Sequence, residues 1–366
     1  MQFSTVTTDR ELLRLEQDWR ILLANSSANA LFSSFELADI FWRVFGARGK
    51  LRIVCVHRNS QLIGIFPLYL SQRRVMKYFN LRVLQWVGTG GDTSPDYLGG
   101  IVHADYDDQH EALCGQAVNF LQDEWDLCEL RDMQQRIDID DLRKVCQSGL
   151  LFADNTERPI ILAELSTDWD SYLAKLSSNR RQQIRRARRK AFDKEGIQLD
   201  RLTSAEQLQH WFDSLVELHH KRWQQKGEGE HAFKTTNYND FHRTLMASML
   251  EGNALRLWGL SKDGRLIAVL YCLTDGVTTY YYQGGFDTDY DELKPGMVLM
   301  SCAIEEAIKE GCTHFNMMKG DYDFKRSLAK EEDRTFSVRL VRSTLSGFVY
   351  SLRFIFLPRV KSIFLK

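Results

Sequence analysis

The chain has 366 residues, more than one hydrophobic core usually serves, so two domains or two similar halves are expected. With 44% apolar and 27% charged residues and only five prolines, its composition excludes a disordered chain. Lys plus Arg (48) nearly balances Asp plus Glu (49), which excludes a surface adapted as a whole to nucleic acid and makes any basic function local.

The opening "MQFSTVTTDRELL" has no basic stretch followed by an apolar one, and no later run is apolar enough to span a bilayer, so a cytoplasmic protein is predicted. Cys55, Cys114, Cys128, Cys146, Cys272, Cys302 and Cys312 are odd in number, form no CxxC pair and mostly sit in apolar runs. They read as buried reduced thiols.

In chain order, "VTTDRELLRLEQDW" (6–19) predicts a strand end, a Thr cap and a helix. "LRIVCVHRNSQLIGIFPLYL" (51–70) predicts a hairpin turning at Asn59-Ser60. A glycine-bearing loop, a helix near 108–124 and the strand "WDLCELRDM" follow. The pattern then recurs about 200 positions on: "LTSAEQLQHWFDSL", the hairpin "LRLWGLSKDGRLIAVLYCLT" turning at Asp263-Gly264, a helix over 296–310 and the strand "THFNMMKG". The expected fold class is therefore α/β (α+β), two similar halves each built on a mixed sheet flanked by helices rather than a doubly wound parallel sheet. The polar "ADNTERP" sets the boundary, giving halves at 1–154 and 155–345 and a tail at 346–366.

Early in the second half lies "SSNRRQQIRRARRK" (177–190). It predicts a helix from Arg180 to about Lys194, capped by Ser177, Ser178 or Asn179, after a shorter one over 168–176. Arg180 shares a face with Ile184, Ala187 and Ala191, so it is expected to be partly buried, whereas Arg186, Arg189 and Lys190 look solvated. Three uses stay open: a solvated charged face, a grip on the phosphates of a small ligand, and nucleic-acid binding.

"LSSNRRQQIRRARRK" together with "YYYQGGFDTDYDELKPGMVLMSCAIEEAIKEGCTHFNMMKGDYDFKRSLA" resembles the acetyltransferase-like domain of the GNAT superfamily found in CelD-type proteins of bacterial polysaccharide synthesis. It is also similar to the Fem-type peptidyl transferases, built from two GNAT-like halves. The resemblance is clearest over 159–335. It implies tandem GNAT-like halves with mostly antiparallel sheets, two strands that splay apart to admit the pantetheine arm of acyl-CoA, and pyrophosphate at the start of the next helix. By position these are the strands Thr278–Gln283 and His314–Met318, the loop to Gly296 and the helix from Met297. The superfamily's usual phosphate loop is replaced by "ELKPGM", and Lys294 and Arg180 are the cations available to make up the charge. Acetyl-CoA is the expected co-substrate, with a carrier-protein or aminoacyl-tRNA donor left open. The coiled-coil arm of some tRNA-using relatives is missing.

For chemistry, acyl transfer needs proton removal and an oxyanion stabiliser. "GDYDFKRSLA" gathers Asp321, Tyr322 and Lys325 after a strand, and the resemblance associates Lys325 with the reacting centre. "WVGTGGDTSPDYLGG" offers Asp92, Asp96 and Tyr97 for an acceptor, with Asp96 a second candidate base. On "SLVELHHKRWQQKG", His220 and Trp223 are candidates to line a cleft under a lid with glycines at 227 and 229. Tyr281, facing away from Tyr280 and Tyr282, joins the acceptor set, and Gln283 the donor set. A single Glu-x-x-His makes a metal unexpected. The tail "FVYSLRFIFLPRVKSIFLK" either docks on the fold or lies on an anionic membrane or synthase partner, which would make the protein peripheral at the inner membrane.

The resulting expectation is a GNAT-type N- or O-acyltransferase acting on a sugar, lipid-linked or similar acceptor in polysaccharide or envelope biosynthesis. The competing readings are an aminoacyl-tRNA-dependent transferase and a non-catalytic binding module.

Overall fold

A computed structural model describes residues 1–76, 79–90, 95–146, 149–226 and 232–357. Its strands, in chain order, are β1 (Gln2–Val6), β2 (Lys50–Arg58), β3 (Gln61–Met76), β4 (Phe79–Trp86), β5 (Ile101–Val102), β6 (Leu127–Met133), β7 (Leu150–Glu164), β8 (Gln198–Arg201), β9 (Leu255–Lys262), β10 (Arg265–Thr274), β11 (Thr278–Phe286), β12 (His314–Lys319) and β13 (Glu331–Arg342). Two units divide the chain: residues 1–158 with the chain from Arg334 onward, and residues 159–333.

In unit 1 the strand order is β1-β2-β3-β4-β6-β13, and in unit 2 it is the end of β7, then β12-β11-β10-β9-β8. Each sheet is antiparallel except for one parallel pair, β4 with β6 and β11 with β12. Both hairpins turn in two residues, Asn59-Ser60 and Asp263-Gly264, all four with positive φ. That geometry matches the twist of the flanking strands and explains why Asn and Asp-Gly stand there. The second strand of each parallel pair also carries a left-handed residue one before its end, Asp132 in β6 and Met318 in β12. The repeat seen in the sequence thus extends to a shared kink.

The sequence pattern predicts a second half ending at 345, whereas the chain returns to unit 1 at Arg334. From there β13 pairs with β6, from Phe336–Met133 to Val341–Leu127, and buries Val338 and Leu340 in the unit 1 core. Tyr350 and Ile355 pack against Leu81, Val83 and Val341 of the same unit. The tail beyond Leu357, with Pro358, lies outside the described residues, as do the glycines at 227 and 229.

Unit 2 buries one sheet face under the helix Pro295–Lys309, through Val298, Leu299 and Cys302, and under Ile184 and Ala187 of the helix Ser178–Arg189. Helix Leu208–Lys226 covers the β11 side, and Gly285 makes that approach possible. A Cβ on Gly285 would lie 2.3 Å from the His219 amide nitrogen and 2.5 Å from the Leu218 carbonyl carbon. All seven cysteines are free and buried. Among the described residues no helix is long and apolar enough to cross a membrane.

Because the Gly285 neighbours are backbone atoms that cannot rotate away, Gly285→Ala should destabilise the protein by roughly 1–3 kcal/mol, as overpacking does. Gly264→Ala, whose Cβ would meet nothing within 4 Å, loses only its left-handed turn. Chemical denaturation of the two variants should give the larger loss at Gly285; equal losses would contradict this packing.

Candidate functional site

The site follows from the way β11 and β12 part company. They pair over Thr278–His314, Thr279–Phe315 and Tyr280–Asn316, and no pair follows. β11 runs on to Phe286 still laddered to β10, while β12 shifts register against β7 between Asn316 and Lys319. Met318, at φ 55°, makes the bend, and its amide donates to Asn316 Oδ1 at 2.8 Å. The opened wedge leaves backbone edge facing a gap.

A first cavity of about 330 Å³ lies against Gly284, Gly285 and Phe286 of β11 and the start of the helix Pro295–Lys309. Arg180, Lys294, Gly296 and Met297 all line it, which brings together four of the five predicted donor residues. Ser177 caps the basic helix by accepting from the Arg180 amide at 3.2 Å, and this turns the half-buried Arg180 side chain inward, with Nη1 3.5 Å from Met297 Sδ. Lys294 adopts a left-handed backbone, its carbonyl accepting from both Met297 and Val298 at 3.0 Å. Pro295 has no N–H, so Gly296 supplies the first-turn amide that Lys294 does not engage.

A second cavity of about 230 Å³ is lined by His219, Trp223, Gln283, Met318, Tyr322 and Lys325, among others. Arg222, Tyr281 and Phe324 line both cavities. Burial raises the Tyr281 phenol above its ordinary pKa, and Arg222 beside it works the other way. Arg222 in turn stacks over Phe286 at 5.1 Å. Gln283, predicted for the donor, thus falls in the second cavity with Trp223, Tyr281 and Tyr322.

Lys325 is only 4% exposed. Its Nζ donates to the carbonyls of Lys319 at 2.7 Å and Met318 at 3.1 Å, tying down the kinked end of β12, and stands 6.0 Å from the Tyr281 ring centre and 5.5 Å from that of Tyr322. Gly320, at φ 106°, permits the exit that brings Lys325 back under the strand. Both acceptors are backbone carbonyls, so the second cavity holds the Lys325 side chain fixed as a hydrogen-bond donor.

Of the remaining predicted residues, none that is described lines either cavity. Asp321 is exposed, accepts from Arg326 Nη2 at 2.8 Å, and is held by that pairing below the usual carboxylate range; it lines neither cavity. His220 also lines neither, and its neighbour His219 does so instead, with Nδ1 donating to the Gly284 carbonyl at 3.1 Å. The helical repeat Leu215, His219, Arg222 was the sequence signal for His219 and Arg222. Asp96 and Tyr97 belong to unit 1 and are buried. Asp92 lies outside the described residues.

In unit 1 the equivalent wedge is filled. β4 and β6 pair only at Val83–Leu127 and Leu84–Cys128. Beyond this Leu98 takes the edge of β6: its amide donates to the Asp132 carbonyl at 3.1 Å, and its carbonyl accepts from Gln134 at 3.1 Å. Tyr97, left-handed at φ 64°, stacks on Phe32 at 6.4 Å to set the turn. The chain itself occupies the slot that is open in unit 2.

Along the basic helix, Arg185 pairs with Asp170 at 3.0 Å and Lys190 with Glu292 at 3.3 Å, while Arg188 pairs with Glu305 and lies over Trp169 at 5.0 Å. Part of the run is therefore neutralised locally. Arg181, Arg186, Arg189 and Lys194 line a concave surface on its outer side. Among the described residues no group of three His, Cys, Asp or Glu side chains could hold a metal ion.

This geometry is that of the GNAT-domain acyltransferase fold. Residues 178–326 match the family model described as acetyltransferase (GNAT) domain. The crystal structure of FemX superposes over 96% of this chain and 100% of its own, at 12% identity and a TM-score of 0.62. The C-terminal domain (DUF2156) of a putative lysylphosphatidylglycerol synthetase from Agrobacterium fabrum does so over 94% and 96%, at 11% identity and a TM-score of 0.54. A conserved protein of unknown function from Bacteroides thetaiotaomicron covers 93% of this chain and 100% of its own, at 11% identity and a TM-score of 0.56. No curated protein sequence matches the chain.

Behind the second cavity Tyr282 packs on His242 at 5.1 Å, and His242 is fully buried with its pKa pushed down to about 3. The native state then binds no proton there where an unfolded chain, titrating near 6.5, does, so stability falls as pH drops below that value. Between pH 7.5 and 5.5 this amounts to roughly 1.4 kcal/mol. Denaturation at the two pH values should show a steeper loss for the native protein than for His242→Phe; parallel losses would place the proton uptake elsewhere.

Proposed function

We propose that this protein is an acyltransferase that moves an acyl group from acyl-CoA to an amine or hydroxyl of a sugar, lipid-linked or similar acceptor, in polysaccharide or cell-envelope biosynthesis of the CelD-like kind. The wedge between β11 and β12, opening onto two cavities with three walls in common, carries the reading. An unpaired strand edge offers amides and carbonyls to a pantetheine arm, as strand addition does for peptides. Arg180 and Lys294, with the Gly296 amide, are the groups suited to the donor's phosphates.

The second cavity then takes the acceptor. Its aromatic walls, Trp223, Tyr281 and Tyr322, suit the flat apolar faces of a sugar or similar ring. In the transfer, the acceptor nitrogen or oxygen bonds to the thioester carbonyl carbon, the C–S bond breaks, and the acceptor's proton leaves with the thiolate. Lys325, fixed by two carbonyls, is placed to stabilise the oxyanion that forms in between. Asp321, already committed to Arg326, is a poor base for this step. With unit 1 filled by Leu98, the donor role falls to unit 2 alone.

A second reading has its own support. The first-turn amides near Lys294 are fewer than a pyrophosphate site favours, and Arg181, Arg186, Arg189 and Lys194 line an outward concavity of about 700 Å³. These features suit a longer polyanionic donor, an aminoacyl-tRNA.

Acetyl-CoA should raise the melting temperature, and Arg180→Ala or Lys294→Ala should weaken its binding about tenfold or more, the worth of one bond to a charged group. Lys325→Ala should lose turnover and, because Lys325 holds the end of β12, weaken that binding as well. Absence of any shift with CoA esters, together with salt-sensitive tRNA binding, would replace the first reading by the second.

A further inference from the structure

Among the described residues one apolar surface is exposed. The helix Leu345–Ser351 runs on through Leu352–Phe356. Its inner side, Tyr350 and Ile355, is held in the unit 1 core. Its outer side presents Leu345, Phe348, Leu352, Phe356 and Leu357, and Phe354 flanks it with its ring 5.2 Å from that of Tyr350, all six at least 43% exposed. These six are among only fourteen large apolar residues that are exposed in the whole described chain, so the patch is a concentration, not scatter.

Charge separates the candidate occupants. From Leu345 to Lys366 the sequence contains no Asp or Glu and four cations, Arg353, Arg359, Lys361 and Lys366. Arg353 is exposed on the same turn as the apolar residues, over the Phe354 ring at 5.2 Å. A second copy of this chain would set like charges against each other across the contact. An anionic lipid surface accepts both features, burying the Leu and Phe side chains among acyl chains while Arg353 meets the headgroups. The segment is too short and too charged to span. We propose that this face docks the protein on an anionic membrane. The inference is independent of the transfer reading, although a lipid-linked acceptor would be reached from such a position.

The full chain should sediment with vesicles of phosphatidylcholine mixed with phosphatidylglycerol and stay in solution with phosphatidylcholine alone, the bound fraction falling as salt is raised. Phe348→Asp combined with Leu352→Asp should reduce partitioning at least about tenfold, and Arg353→Gln about fivefold, the loss expected for one cation near such a surface. Both positions are exposed, so the melting temperature should hold. Failure of the native chain to bind the mixed vesicles, or equal binding by the double variant, overturns the proposal. So does a dimer, seen by light scattering, that the double variant dissociates, because the face would then belong to a second copy.

Discussion

The parting of β11 from β12 is the constraint on which the rest of unit 2 depends. A parallel pair gains from every further rung, so leaving one unfinished requires something that prevents the next rung. Here it is the left-handed backbone at Met318, a conformation that is unfavourable for a residue with a Cβ. It is kept in place by Asn316 Oδ1 on its amide and by Lys325 Nζ on its carbonyl. The wedge and the buried lysine are therefore one arrangement.

The same arrangement explains how charge is distributed in the site. Carbonyls freed at the end of β12 become acceptors for Lys325, whereas the start of the helix Pro295–Lys309 contributes little N–H capacity. Positive charge in the first cavity must then come from side chains, and the basic helix brings Arg180 to it because Ile184 and Ala187 anchor its other turns in the core. The remaining basic residues are divided between ion pairs with acids of unit 2 and the outer concavity.

Much of the fold was legible in the sequence because the signals are local. The Asp263-Gly264 turn, the Thr8 and Ser177 caps and the Pro295-Gly296 helix start all act within four residues of themselves. The repeat was legible because two hairpins share length and turn position. What the letters did not reveal was any feature set by distant partners: the return of Arg334 onward to unit 1, the insertion of Leu98 beside Met133, and the choice of His219 over His220. The last of these turns on Gly285, whose lack of a side chain lets one face of a helix touch the strand. Asp321 illustrates the opposite error, since an acid near a strand end looks like a base until Arg326 is seen to hold it.

The segment around Leu98 has a further meaning. A tethered strand mimic is always present at its binding edge, at an effective concentration that no freely diffusing molecule in a cell approaches. Unit 1 retains the Asp132 kink that in unit 2 accompanies an open slot, yet it has become its own permanent occupant. The two halves then differ at this one edge, open beyond Asn316 in unit 2 and taken by the chain's own Leu98 in unit 1.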